Sequence, residues 1–506
     1  MKCVSGAYFE PDFDPLLDRL GTPGVVVDNE TREDCTLVKV DSVNRDGVLL
    51  DMVQLLTDLD LVISKSYICS DGGWLMDGKD CLLLLFLVNF FLNAMASWRK
   101  LTDPSLPEFI QRALVRFHRT VNCASPRFTT CLGNVVGPAG PDVSGCAALE
   151  FTVNDRPGLL SSITSVLADS GCHVASGQAW THNGRAAGVL YVTPPLPSRW
   201  ARVERLVEAV VGARENVAGE RHWTRVSGPA RGRVHTERRL HQLMRDDRDY
   251  ESGPAPTPVD EGLFGVGDKA ATTARTARRA RAATRVSVDS WEERGYVVVK
   301  MTSRDRPSLL FDTVCALTDM QYVVFHATVG SQGVLAIQEY YIRHKDGGTV
   351  DSSAERQKVS RCLVAAVERR ATHGVRVEVH AADRSGLLSD FTRVLREHGL
   401  SLLRVELKRH RDEAFGVFYL DTDTGGEVRT EALRAVQMRV AEMGISLDVV
   451  KETKAPGWPP VRKTSVPAPP VAGQQPQEKP RPSLGSLLWS NLEKLSNNFN
   501  YIRSPA

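Results

Sequence analysis

Four short stretches of the chain share a turn whose residue types could bind a small charged ligand. They are Asn44–Leu49, Asp155–Leu160, Asp305–Leu310 and Asp383–Leu388. Glycine lets a ligand approach the backbone, and the amides that open a helix attract a carboxylate. A free amino acid carries that carboxylate, and main-chain carbonyls or an aspartate can receive its ammonium group. The pattern therefore predicts either a ligand site or, in the simpler interpretation, a helix cap that binds nothing.

The candidate ligand-binding residues are the polar and glycine positions of these turns and the first leucine of two of the helices. They are Asp155, Gly158, Leu159, Asp383, Gly386, Leu387, Asn44, Gly47 and Asp305.

Each turn lies between a short apolar run and a helical pattern, most clearly in the last copy. There Val375–Val379 alternates as a strand does, and the apolar residues of 387–395 lie on one helix face. Two further strands, a second helical stripe and a last strand follow. The order is βαββαβ, the ferredoxin-like arrangement.

The repeated turn defines four modules. The fold class predicted is α+β, with tandem ferredoxin-like modules, antiparallel sheets, and a disordered linker and tail. The predicted boundaries are 34–118, 147–226, 295–370 and 374–451 for the modules, 227–290 for a charged linker, and 454–506 for a Pro-rich tail with a short amphipathic helix.

The first module departs from the pattern at residues 78–99, where Cys81–Ala96 is mostly apolar. We expect this segment to be foreign to the fold, as a retained intron or a real insertion. The module would then lack a strand, and its sheet would expose backbone donors. As a membrane span the segment is too short and contains Asn89 and Asn93.

Composition favours an ordinary globular protein. The chain has 506 residues, 25% of them charged, with a net charge of +2, which gives no overall attraction to nucleic acid or acidic membranes. No C-x-x-C pair, H-E-x-x-H, G-x-S-x-G or phosphate-loop motif is present. We therefore expect no catalysis, no metal, no cofactor and no membrane partner. The acidic first twenty residues predict no secretory signal, so a cytoplasmic location is expected.

The stretch 271–285 holds several arginines and no acid, which suits either a solvated linker or a nuclear-import signal. Phe415–Tyr419 faintly resembles an RNA-recognition strand, but its neighbour Val375–Val379 offers no aromatic side chain to stack a base, so nucleic acid is not the expected partner. In the tail, apolar residues from Leu484 to Ile502 follow helical spacing, and we expect that stripe to dock on the modules.

The repeated turn resembles the ligand loop of the ACT domain, and the whole chain resembles the plant ACT-domain repeat proteins, which carry four such modules and no catalytic domain. Ser308 departs from the glycine of the family pattern. Besides the turns, the matching stretches are Asp34–Val40, Leu55–Asp60, Ser70–Trp74, Thr236–His241 and Asp247–Tyr250.

The resemblance implies sites between paired modules, within one chain or between copies. It implies a regulatory sensor of amino acids, acting with a protein partner in nitrogen or amino-acid metabolism. The alternatives are a scaffold that binds no small molecule and a nuclear regulator that uses the basic linker.

Overall fold

The computed structural model describes most of the chain between Gly24 and Val450. Asn44, the predicted tail at 454–506 and residues 271–283 of the arginine-rich stretch lie outside the described residues. The described residues are 24–43, 47–59, 61–71, 85–94, 100–101, 108, 110, 128–129, 135–136, 146–193, 200–212, 222–227, 235–251, 284–332, 334–348, 350, 352–371, 374–410, 412–422 and 428–450.

The described residues form strands and helices along the chain. The strands are β1 (Gly24–Asp28), β2 (Thr36–Val43), β3 (Leu61–Asp71), β4 (Leu85–Ala94), β5 (Phe128–Thr129), β6 (Val135–Val136), β7 (Ala147–Asn154), β8 (His173–His182), β9 (Arg185–Thr193), β10 (Trp223–Ser227), β11 (Arg285–Trp291), β12 (Tyr296–Arg304), β13 (Tyr322–Gln332), β14 (Leu335–His344), β15 (Val375–Ala382), β16 (Leu400–His410), β17 (Glu413–Thr422) and β18 (Ile445–Val450). The helices are α1 (Val48–Asp58), α2 (Leu159–Asp169), α3 (Trp200–Gly212), α4 (Thr236–Asp246), α5 (Leu309–Asp319), α6 (Ser353–Arg369), α7 (Leu387–Glu397) and α8 (Thr430–Ala441).

The modules pair alternately, the first with the third and the second with the fourth. Each pair shares one eight-stranded sheet, in the orders β1-β2-β4-β3-β13-β14-β12-β11 and β10-β7-β9-β8-β16-β17-β15-β18. The central contacts are antiparallel, β3 with β13 and β8 with β16. The α+β class with antiparallel sheets of repeated units is therefore confirmed.

Each sheet has one face covered by helices, and a hydrophobic core lies between that face and its helices. In the second pair, α2 packs against α7 across the seam between the modules. The hydroxyl groups of Thr164 and Thr392 lie 3.2 Å apart there, and each also bonds to a carbonyl one helical turn earlier. The two modules of a pair thus form one continuous core.

The structure corrects the prediction that residues 78–99 are foreign to the fold of the first module. Within 78–99, β4 pairs with β2 on one side and β3 on the other, so it is an internal strand of the sheet. Phe90 and Leu92 are fully buried in the core. Alternation was masked in the sequence because both faces of the strand carry apolar residues.

The prediction that residues 227–290 form a linker is also wrong. This stretch contains helix α4, strand β11 and the end of β10. Strand β11 pairs with β12 as the outer strand of the third module. In the first and third modules the outer strand therefore precedes the first strand of the repeat, whereas in the second and fourth it follows the second helix.

Candidate functional site

The seam between the second and fourth modules contains a cavity of about 70 Å³ at the turn that opens α7. A buried water needs roughly 10–15 Å³ by the same measure, so the cavity has room for a small organic molecule. Side chains that line it include Leu167, Ala168, Cys172, His173, Val174, Val379, Asp383, Leu387, Phe391, Leu407, Arg409 and Phe418.

The turn at Gly386 presents open backbone to this cavity. Gly386 has φ 77°, in the left-handed region, and a Cβ placed on it would meet no atom within 4 Å. No side chain caps the first turn of α7. Because the first amides of a helix have no partner within the helix, this end of α7 can donate hydrogen bonds to a carboxylate.

Asp383 fixes the start of the same turn through both modules. Its carboxylate lies 2.8 Å from His173 Nε2 of the second module and 2.5 Å from Arg409 Nε of its own module. Its amide donates to the carbonyl of Asp412. These contacts hold the loop of one module against a strand of the other, so closure of the cavity depends on the pairing of the modules.

The related seam at the turn of the second module is smaller, with a cavity of about 50 Å³. Asp155, Gly158 and Leu159 line it. Gly158 has φ 74°, but a Cβ there would lie 2.3 Å from Cδ of Arg396, because that side chain crosses the turn. The two seams of this pair are therefore unequal.

The first pair of modules has a seam at the third turn with a cavity of about 20 Å³. Asp305 lines it and accepts a hydrogen bond of 2.6 Å from Ser331 Oγ. Ser308 has φ 60°, so it adopts the left-handed conformation that glycine has in the other turns. Gly47 of the first module has φ 77° and open space around it.

A buried network of charges, missed by the sequence analysis, joins the two sheets. Helix α4 packs on strands β7, β8 and β9 and against α5 and α6. Its residue Glu237 binds Arg370 through two hydrogen bonds of 2.8 and 2.7 Å. Arg370 also binds the fully buried Asp312, which accepts at 2.8 Å from His241 Nε2 if that nitrogen is protonated. The signal in the sequence that could have indicated this network is the charged stretch 236–250, which the sequence analysis assigned to a linker.

The pKa values in this network follow from burial opposed by close partners. Burial alone would raise the pKa of Glu237, but the guanidinium of Arg370 lowers it to about 2. The guanidinium groups of Arg370 and Arg306 likewise overcome burial and hold the pKa of Asp312 well below its usual range. The pKa of His241 is lowered, because burial outweighs the attraction of Asp312 for the imidazolium.

A second buried ion pair lies next to the first. Asp249, fully buried, accepts from Arg369 at 2.7 and 2.5 Å and lies 2.8 Å from His182 Nδ1 on β8. Burial opposes the charge of His182, but Asp249 and Glu368 raise its pKa on balance. These contacts connect the second module to helix α6 of the third.

Within the described residues, no group of three or more His, Cys, Asp or Glu side chains is placed to hold a metal ion. Among the helices of the same residues, none is long and apolar enough to cross a membrane.

The fold and the paired seams define a protein built from ACT modules. A family model described as the ACR family N-terminal ACT domain matches residues 31–121, and one for the ACT domain matches residues 375–442. The chain is 40% identical to ACT domain-containing protein ACR1 of Arabidopsis thaliana over 98% of both chains. It is 39% identical to ACT domain-containing protein ACR3 of the same plant, over 90% of this chain and 93% of that one. The chain belongs to the ACR family of ACT-domain proteins.

Proposed function

We propose that this chain is a regulatory protein that binds a free amino acid in the seam at Gly386. The observation that carries the proposal is the open glycine turn at the uncapped start of α7, facing a cavity between two modules. The α-carboxylate of the ligand would accept hydrogen bonds from amides of the first turn of α7 other than that of Leu387, which donates to Arg384 O. The ammonium group of the ligand would contact main-chain carbonyls and the side of the cavity where Asp383 lies.

The lining of the cavity favours a ligand with an apolar side chain. Leu167, Val174, Phe391 and Leu407 surround the space beyond the turn, whereas the charged groups of Asp383 and Arg409 bind each other. Burying aliphatic carbon against such a lining is favourable by about 25 cal/mol per Å². Leucine and valine are therefore the expected ligands.

Regulation would follow from the position of the site between modules. A ligand that binds the closed seam better than the open seam shifts the population toward the closed pair. A protein partner that recognises one of the two states would then respond to the amino acid, in nitrogen or amino-acid metabolism. This function requires no catalysis by the chain, and it suits a cytoplasmic or nuclear location.

A thermal-shift screen of the full chain against the twenty protein amino acids tests this proposal. The expected result is a rise of the melting temperature with L-leucine or L-valine that is lost in Gly386→Val, because valine strains the left-handed turn and fills the space above it. Gly347→Val is the matched control, because Gly347 also has a positive φ, of 75°, and open surroundings, but lies in the third module away from this seam. No shift with any amino acid would contradict the proposal.

A constitutive scaffold is the second candidate, and the buried charges between the sheets favour it. Removing one partner from such a network is costly, so the two pairs would be held together with or without a ligand. The scaffold predicts the same melting temperature in the presence of every amino acid, whereas the sensor predicts a selective rise.

A further inference from the structure

The two seams of the second pair occupy equivalent positions around the contact of β8 with β16. Each seam combines the turn of one module with the end of the first helix and the start of the following strand of its partner. Thr164 and Thr392 mark the equivalence, since each belongs to the same turn of its helix and they contact each other. Any difference between the seams therefore comes from side chains.

The main difference is at the end of the helix that faces each turn. Ala168 of α2 lies at the seam of Gly386, and Arg396 of α7 lies at the same position in the seam of Gly158. Cγ and Cδ of Arg396 lie 3.0 and 2.3 Å from where a Cβ of residue 158 would stand. The aliphatic part of Arg396 thus covers the turn that a ligand would have to approach.

Further replacements narrow the same seam. Its larger side chains are Phe151, Leu400 and Leu402, and the other seam has smaller residues in their places, which are Val379, Cys172 and Val174. Three replacements act in the opposite direction, because the smaller seam has Ala179, Thr181 and Ser401 where the larger seam has Leu407, Arg409 and His173. The net result is the smaller cavity, about 50 Å³ against about 70 Å³.

Carbonyl groups in the smaller seam also have a partner within the protein. The hydroxyl group of Thr181 lies 3.0 Å from Leu402 O and 2.9 Å from Leu403 O, at the bulge of β16. An ammonium group that bound there would have to share these carbonyl oxygens with the hydroxyl or displace it, and displacement costs the free energy of the bond that it replaces.

We propose that the side chain of Arg396 closes the seam at Gly158 and so determines which of the two seams accepts the ligand. The second pair of modules therefore binds one amino-acid molecule and not two. This inference rests on the proposed function, because it concerns the same ligand. It makes the pair asymmetric although its backbone is duplicated, and it assigns the asymmetry to one side chain.

Isothermal titration of the full chain with L-leucine tests the inference. Arg396→Ala is expected to raise the number of bound L-leucine molecules by one per chain relative to the wild type. Ala168→Arg, which places the same side chain over Gly386, is expected to lower that number by one. The double variant should restore the wild-type number, since the open and closed seams exchange places. Any binding at the first pair of modules adds the same number of molecules in every variant, so it does not affect these differences.

Arg393→Ala is the matched control, because Arg393 is another exposed arginine of the same helix, with its side chain 52% exposed, and does not line either seam. It should leave the number of sites unchanged. An unchanged number in Arg396→Ala, in a chain whose wild type binds L-leucine, would overturn this inference and leave the proposed function intact. A wild type that binds no L-leucine would count against the proposed function with this ligand, and a site gained only in Arg396→Ala would still support the closing role of the arginine.

Discussion

At the scale of single residues, the arginine after the aspartate of the turn has a structural role. Arg156 donates a hydrogen bond of 2.8 Å to Val210 O, and Arg306 donates one of 2.6 Å to Val367 O. Both carbonyls belong to the second helix of the same module. In these two turns the arginine therefore ties the turn to that helix, whereas Arg384 of the fourth turn pairs with Asp390 of α7.

Ser308 allows a direct test of backbone strain. Its φ of 60° disfavours a residue with a Cβ, so Ser308→Gly should stabilise the chain by about 0.5–1 kcal/mol in urea unfolding. Ser385→Gly, in the fourth turn, is the control. Ser385 is not one of the described residues with a positive φ. Glycine there only adds conformational freedom to the unfolded chain and should therefore destabilise the folded protein. A loss of stability in Ser308→Gly would show that the serine side chain contributes more than its strain costs.

Glu237 predicts a specific loss of stability in acid. Its pKa is about 2 in the folded chain, below the usual value of 4.5, so the unfolded chain binds its proton first as the pH falls. Its contribution is therefore present above about pH 4.5 and is lost as the pH falls toward 2.

In Glu237→Gln, this part of the pH dependence should disappear. The variant should also lose about 1.5–3 kcal/mol at neutral pH, the usual worth of a hydrogen bond to a charged group. Melting temperatures from pH 2 to 7 provide the measurement, with the exposed Glu208→Gln as control. Parallel curves for Glu237→Gln and the wild type would contradict the assignment.

At the scale of elements, strand β4 determines whether the first module is complete. Phe90 is fully buried on its core face, so Phe90→Ala should cost about 3–5 kcal/mol by urea unfolding. Its neighbour Phe91 lies on the opposite face, half-buried and in a T-shaped contact with Tyr67, and Phe91→Ala should cost about 1 kcal/mol. Equal small losses in both variants would mean that the strand does not form.

The elements also show what the sequence could predict. Turns, helix faces and alternating strands were readable because each reflects local periodicity, and the clearest was the last module. Strand β11 was not readable as part of the third module, because nothing local indicates that an outer strand can precede the repeat. The four repeated turns could be located from the sequence, but the positions of His173, Arg396 and Arg409 could not, because those residues reach the seams only through the folding and pairing of the modules.

At the scale of the whole molecule, α4 holds the two paired sheets together. Its apolar residues Leu240, Leu243 and Met244 pack with Trp180 and Tyr191 on the face of the second sheet opposite α2 and α7. Its other side contacts α5 and α6, and Arg370 extends from the end of α6 to Glu237 and over the ring of Trp180. A helix that shares its contacts between two sheets should make their unfolding cooperative.

Arg370→Ala should separate the unfolding of the two pairs. The substitution leaves Asp312 and Glu237 with fewer cationic partners in a buried place, a loss typically worth about 3–5 kcal/mol. The loss of the Glu237 contact acts between α4 and the third module and leaves the apolar core of each sheet unchanged. Differential scanning calorimetry should therefore resolve two transitions where the wild type gives one. Arg202→Ala, on the exposed face of α3, should keep the single transition. If Arg370→Ala unfolded in one transition shifted to lower temperature, the coupling would have to lie in the apolar contacts of α4, because the charges would then only add stability to a unit already joined.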